Sequence, residues 1–151
     1  MSDWNSPEVK EEWVVKIIEK MRESPQHTFQ VLSKRPKGYA RFQFPHNVWL
    51  GTSIAKTADC FRVRDLCESA GPNIKFVSIE PIHERIDFWF SKKEIDWIII
   101  GAETGHRKGK IFPEPEWISS VIGNARSEGI PLFIKDNANW PEKIQEFPSG
   151  H

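Results

Sequence analysis

The stretch Asp96-Trp-Ile-Ile-Ile-Gly-Ala-Glu-Thr-Gly105 constrains this chain more than any other. Trp97 to Ile100 are bulky apolar residues in an unbroken run, with no polar position between them. A half-exposed strand alternates. A strand buried on both faces does not, and such strands belong to parallel sheets covered by helices. The run then passes at once into Gly101, Glu103, Thr104 and Gly105. In α/β folds the ligand-facing groups sit at the carboxyl ends of parallel strands.

The same shape recurs along the chain. Thr28 to Leu32 runs into Ser33-Lys34-Arg35-Pro36, and Val48-Trp49-Leu50 into Gly51-Thr52-Ser53. Ile74 to Ile79 is closed by Glu80-Pro81, and Pro131 to Ile134 by Lys135-Asp136-Asn137. Helical patterns separate them. Ser6-Pro7-Glu8 reads as a helix start: a capping hydroxyl, a proline at the first helical position and an acid near the positive end of the dipole. Val9, Trp13, Ile17 and Met21 fall four apart, widened by Val14 and Ile18, and predict one apolar helix face before Ser24-Pro25 stops it. A second helix is predicted from Thr57 to Ser69, ended by Ala70-Gly71-Pro72. A third comes after Pro113 and Pro115, with Trp117, Ile118, Val121, Ile122 and Ala125 on one face, and ends at Ser127 to Gly129. In Pro81 to Glu94, the alternation of Ile86, Phe88 and Phe90 fits a short extra strand or a hydrophobic flap. The tail, residues 139–151, is expected to pack loosely or to reach a neighbour.

A helix followed by strands with helical connections predicts one α/β domain over residues 1–151, with a mainly parallel five-stranded sheet. Right-handed crossovers place all five strand ends on one side. A complete (β/α)8 barrel takes about 250 residues. The choice is therefore a partial, half TIM-type barrel or an open doubly wound sheet.

Totals narrow the function. Lys and Arg number 21, as do Asp and Glu, so the formal net charge is zero. That argues against a protein built around nucleic-acid affinity; Lys34, Arg35 and Arg107 to Lys110 are the stretches through which one would bind. No apolar run approaches membrane-spanning length, and the first residues do not read as a signal peptide. Two cysteines make no disulfide framework, and a reducing cytoplasm is the expected location. Cys60 and Cys67 are predicted on one face of the second helix, about 10.5 Å apart along its axis. That is too far for a disulfide or a shared metal, and both read as small buried hydrophobes. The 7 Trp and 10 Phe fill a core or cover a surface that a partner buries.

Each strand end carries two readings. Lys34 and Arg35 hold a phosphate or carboxylate, or form an ordinary basic loop. Thr52 and Ser53 admit a ligand closely and donate hydrogen bonds, or they cap a turn. Glu80 is a base or ligand contact, or a salt-bridged loop acid. Thr104 to Lys110 makes a flexible, anion-friendly loop that fits neither a Walker loop nor G-x-G-x-x-G. His106 has no carboxylate at an orienting spacing. A self-sufficient hydrolase finds no support, because Ser33, Ser53 and Ser78 lack the Gly-x-Ser-x-Gly elbow. No pair among the 5 His has metal-ligand spacing.

Gln26-His-Thr-Phe-Gln-Val-Leu-Ser-Lys-Arg-Pro36, Asn47-Val-Trp-Leu-Gly-Thr-Ser53, Phe76-Val-Ser-Ile-Glu-Pro81, Asp96 to Gly105 and Pro131-Leu-Phe-Ile-Lys135 occur in this order. The ordered set resembles the C-terminal portion of the uncharacterised three-cysteine-motif proteins of phages and prokaryotes, distant relatives of radical S-adenosylmethionine enzymes. The resemblance implies a half-barrel whose ligand face is lined by Lys34, Arg35, Thr52, Ser53, Glu80, Glu103, Thr104 and Lys135. It brings S-adenosylmethionine in as a ligand. Family members carry an N-terminal cysteine cluster suited to an iron–sulfur centre, and Met1-Ser-Asp reads as an interior point of that pattern. Thiolates hold such clusters, so this chain is expected to bind none and to run no radical chemistry alone.

Two functions are consistent with these features. One is a ligand-binding half-barrel for an anionic or nucleotide-like small molecule. The other is a structural or interaction module, or a split-gene subunit, that completes a barrel with a partner. An incomplete barrel leaves sheet edges open, so a homodimer or a second chain over that edge is the expected partner. The sequence assigns no reaction.

Overall fold

The computed structural model describes residues 3, 6, 8–106 and 108–149. Pro7 and Arg107, singled out in the sequence, lie outside them. Five parallel strands form one sheet in the order β1 (Phe29–Ser33), β2 (Val48–Ile54), β3 (Lys75–Ile79), β4 (Trp97–Ile100) and β5 (Leu132–Ile134). The sheet is open. Its order nowhere reverses, whereas a doubly wound sheet switches direction at its midpoint. Sequential order with right-handed crossovers puts the connections on one face, the winding of half a barrel.

The covered face carries the main core. Val31, Leu50, Val77, Ile79, Ile98, Ile100 and Leu132 meet α2 (Phe61–Ser69) through Val63 and Leu66 and α3 (Pro115–Glu128) through Ile118, Val121 and Ala125. Tyr39, on a 3₁₀ turn between β1 and β2, is buried there, and its one hydroxyl proton is shared between the carbonyls of Gly51 at 2.7 Å and Val31 at 3.0 Å. Cys60 sits at the N-cap of α2, not inside it, and is buried; Cys67 packs partly buried against the same core. Burial, then the neighbouring carboxylates of Asp59 and Glu84, pushes the Cys60 thiol up to about 11.

Two expectations are corrected, those for the first helix and for the tail, and the choice left open for Pro81 to Glu94 is decided in favour of the flap. The first helix, α1, spans Glu11–Arg22 with Lys10 as its N-cap, so it starts later than Ser6-Pro7-Glu8 suggested. Its buried stripe is Val14 and Ile18 with Met21 partly buried, while Trp13 and Ile17 remain 51% and 47% exposed. Fourfold spacing marks two adjacent stripes, and only the one turned inward is covered.

The segment from Pro81 to Glu94 is an irregular apolar flap, not a strand. Ile82, Ile86 and Phe90 drop into the main core. Asn124 of α3 clamps the Phe90 backbone with both ends of its amide, at 2.8 and 3.0 Å. Glu128 accepts from the Trp89 indole and the Lys92 N–H. The flap thus stands where a crossover helix would.

The tail is tied down through its described part, residues 139–149. Gln145 bridges Phe133 antiparallel, Ile134 N–H donates to the Ile144 carbonyl, and Glu146 N–H to that of Leu132. Glu146 also binds Arg126, and its carbonyl accepts from the Trp97 indole at 2.8 Å. The expectation of a loose tail fails because β5 is an edge strand whose free backbone groups the tail satisfies.

Candidate functional site

Among the described residues the other face of the sheet has no helical layer. Side chains alternate across a strand, and the register stacks the inward-facing ones in rows. Gln30 and Trp49 start the stack at the amino end. Leu32, Gly51, Phe76 and Trp97 come next, and then Ser53, Ser78, Ile99 and Phe133. At the carboxyl rim come Glu80, Gly101 and Lys135, where sheet-like hydrogen bonds continue: Gly101 N–H to Ile79 O at 3.1 Å and Lys135 N–H to Ile100 O at 2.9 Å. Aromatic character at the amino end gives way to hydroxyls and then to charge.

Two glycines in these rows make the face what it is. A Cβ on Gly51 would lie 2.4 to 2.6 Å from three ring atoms of Phe76, so the ring covers β2 there because no side chain stands in its way. A Cβ on Gly101 would lie 2.9 Å from Cδ and Oε1 of Glu80. The bare backbone at Gly101 lets Glu80 of one neighbour and Lys135 of the other meet across β4, with Nζ to Oε2 at 2.5 Å. Asn137 holds the adjoining turn in place: its amide accepts from Ala102 N–H and donates to Ala102 O.

Between these charges and the aromatic floor lies a groove of about 400 Å³ lined by Gln30, Leu32, Phe76, Ser78, Glu80, Trp97, Ile99, Phe133, Lys135 and Phe147. That size suits a small ligand. The ring of Phe147, from the tail, lies with its centroid 5.4 Å from Trp97 and 5.6 Å from Phe133. Trp97 in turn meets Phe76 at 5.9 Å and Trp49 at 5.5 Å. These are ordinary aromatic pair distances, and the rings form one wall and floor.

The residues expected to line a site divide. Glu80 and Lys135 are brought together, and Ser53 adjoins them, its hydroxyl reaching the Glu80 carbonyl at 3.4 Å. Thr52 is corrected: it is fully buried on the covered side, and its hydroxyl donates to the Ser33 carbonyl. Adjacent residues of a strand face opposite ways, so Thr52 and Ser53 cannot both line one face. Lys34 and Arg35 are exposed past the end of β1, at the far edge from β5; Lys34 N–H is held by Asp3 and Arg35 N–H by the Ser33 hydroxyl. Glu103 sits beyond the groove, 3.6 Å from His83 Nε2, and Thr104 is exposed in the loop after β4. His106 is exposed in the same loop.

Sequence reasoning passed over the aromatic lining. Trp97 to Ile100 are all buried, as the run implied, but by unlike layers: Ile98 and Ile100 by helices, Trp97 and Ile99 by aromatic side chains. The available signal was an inward-facing glycine beside a bulky or charged residue on the next strand.

The two thiols do not fit an iron–sulfur centre. Both stand on the covered side of the sheet, with Cys60 buried at a helix start. Among the described residues no His, Cys, Asp and Glu group of three or more is arranged to hold a metal ion, and no helix is long and apolar enough to cross a membrane.

Fold and site together define an open, singly wound α/β sheet with a ligand-sized groove on its bare face. The chain belongs to the family described as protein of unknown function DUF5131, whose model matches residues 1–148. No curated protein and no solved structure matches it.

Proposed function

We propose that this chain is a ligand-binding half-barrel that takes an anionic or nucleotide-like small molecule on its bare face. The Glu80–Lys135 pair above an aromatic-lined groove carries this reading. Lys135 is the anion contact, because its side chain is 43% exposed and can leave Glu80 for a phosphate or carboxylate. The rings of Phe133 and Phe147, which keep exposed surface in the groove, take a flat ring by stacking. The resemblance to phage three-cysteine-motif proteins makes S-adenosylmethionine one ligand to try. With thiols only on the covered side, radical chemistry is not within reach of this chain alone. Calorimetry with S-adenosylmethionine and adenosine monophosphate tests it: binding that weakens in Lys135→Ala supports the reading, and no heat at millimolar ligand removes it.

One observation favours the reading as an interaction module that completes a barrel with a second chain. Strand β1 pairs with β2 alone among the described residues, and Leu32 on its bare face is 45% exposed. Such an edge is a template for another strand. Sedimentation across a concentration series discriminates: association that Leu32→Lys abolishes supports a partnered edge, and a monomer throughout counts against a homodimer.

A further inference from the structure

The groove presents two opposite charges, not one, and this narrows the ligand within the binding reading on which the inference rests. Glu80 lies tight against the β4 backbone at Gly101, and its side chain is 24% exposed against 43% for Lys135. A ligand bearing only an anion must draw Lys135 away and leave the Glu80 carboxylate facing a like charge. A ligand bearing only a cation leaves Lys135 facing one. Each exchanges one ion pair for another and adds a repulsion in a partly desolvated groove. A ligand with an ammonium and a carboxylate on neighbouring atoms meets neither penalty, because it exchanges one ion pair for two.

The rest of the groove defines the group attached to that charged head. On β5 the residue next inward from Lys135 is Phe133, about 6.6 Å away along the strand. Its ring lies 5.6 Å from Phe147 and 6.1 Å from Trp97. An apolar or aromatic group one or two bonds from the charged carbon reaches those rings, passing the Ser78 hydroxyl on the groove wall. We infer that the ligand class is an aromatic α-amino acid or a close zwitterionic derivative, with its ammonium on Glu80, its carboxylate on Lys135 and its ring against Phe133 and Phe147.

Calorimetry on the full chain with four probes tests this: L-tryptophan, indole-3-propionate (ring and carboxylate, no amine), tryptamine (ring and amine, no carboxylate) and adenosine monophosphate. The expected result is L-tryptophan bound at least about tenfold more tightly than either single-charge analogue. Glu80→Gln should erase its advantage over indole-3-propionate, and Lys135→Met its advantage over tryptamine. If indole-3-propionate, tryptamine or adenosine monophosphate binds as tightly as L-tryptophan, the zwitterion assignment is overturned while a binding groove remains. If no probe binds at millimolar concentration to protein with native circular dichroism, the zwitterion assignment falls, and the binding reading falls with it when S-adenosylmethionine gives no heat either.

Discussion

The two faces of this sheet are built from the same strands and do different things. On the covered face successive strands supply Val, Ile and Leu, which interlock with α2, α3 and the flap. On the bare face the same strands supply Trp49, Gly51, Phe76, Trp97 and Phe133, then Ser53, Ser78, Glu80 and Lys135 toward the carboxyl rim. Branched aliphatics fill a surface against which another layer packs. Where no layer arrives, large flat rings shield one another and glycines give them room. A parallel sheet can therefore be largely apolar on both sides while only one side is covered by helices.

Neighbouring residues of β2 put this contrast to its strongest test. Leu50 faces the covered side with no exposure, and Leu50→Ala should cost about 2–5 kcal/mol in denaturant unfolding. Gly51 faces the bare side, and Gly51→Ala drives a methyl into the Phe76 ring. It should cost about 1–3 kcal/mol, less than its neighbour, because the ring can tilt toward the open groove. Were the order reversed, the bare face would be the more rigid of the two.

Gly101→Ala sharpens the comparison. Its methyl meets the end of a charged side chain, not a ring. Stability should change by less than about 1 kcal/mol, since the displaced pair is partly exposed. Ligand binding should be lost, because the methyl displaces the Glu80 carboxylate and one small ligand could no longer reach both Glu80 and Lys135. A large loss of stability with binding intact would make Gly101 structural.

The tail gives a smaller, pH-dependent effect. The hydrogen bond from Arg126, opposed by burial and aided by the Leu132 N–H, holds the Glu146 carboxyl below its ordinary value. A depressed folded value means that the anchorage is present above the unfolded pKa, about 4.3, and is lost as pH falls through the folded one. The indole N–H resonance of Trp97, which donates to the Glu146 carbonyl, should report release of the tail in acid, with the midpoint moved to higher pH in Arg126→Met. An unmoved midpoint would mean that another group holds the tail.

The smallest effect expected is none at all: Cys60, with its thiol pushed up to about 11 by burial, should react with aromatic disulfide reagents only as fast as the protein unfolds.

Much of the fold was legible in the sequence because β4 and β5 are unbroken apolar runs and β3 is broken inside only by Ser78, and all five strands lie close to where their patterns put them. Strand β2 runs on through Gly51, Thr52 and Ser53, residues usually found in turns, because parallel partners on both sides hold it extended. The helix α1 was legible in place but not in phase, since spacing alone does not say which stripe a sheet will cover. For the site, Glu80 and Lys135 could be marked as strand-end charges. Their meeting depends on register and on the empty position at Gly101, which no single strand encodes. Phe147 was out of reach for the same reason: a tail's contacts are set by the edge it finds.

The central claim is that the bare face, at the row of Glu80, Gly101 and Lys135, is where this protein meets a small molecule. Amide chemical shifts monitored while L-tryptophan, and separately adenosine monophosphate, is added to labelled protein test it most directly. The account predicts shifts concentrated at Ser78, Glu80, Ile99, Gly101, Phe133 and Lys135, with α2 and α3 unmoved. Shifts confined to the helices, or none with either ligand at millimolar concentration, would contradict it.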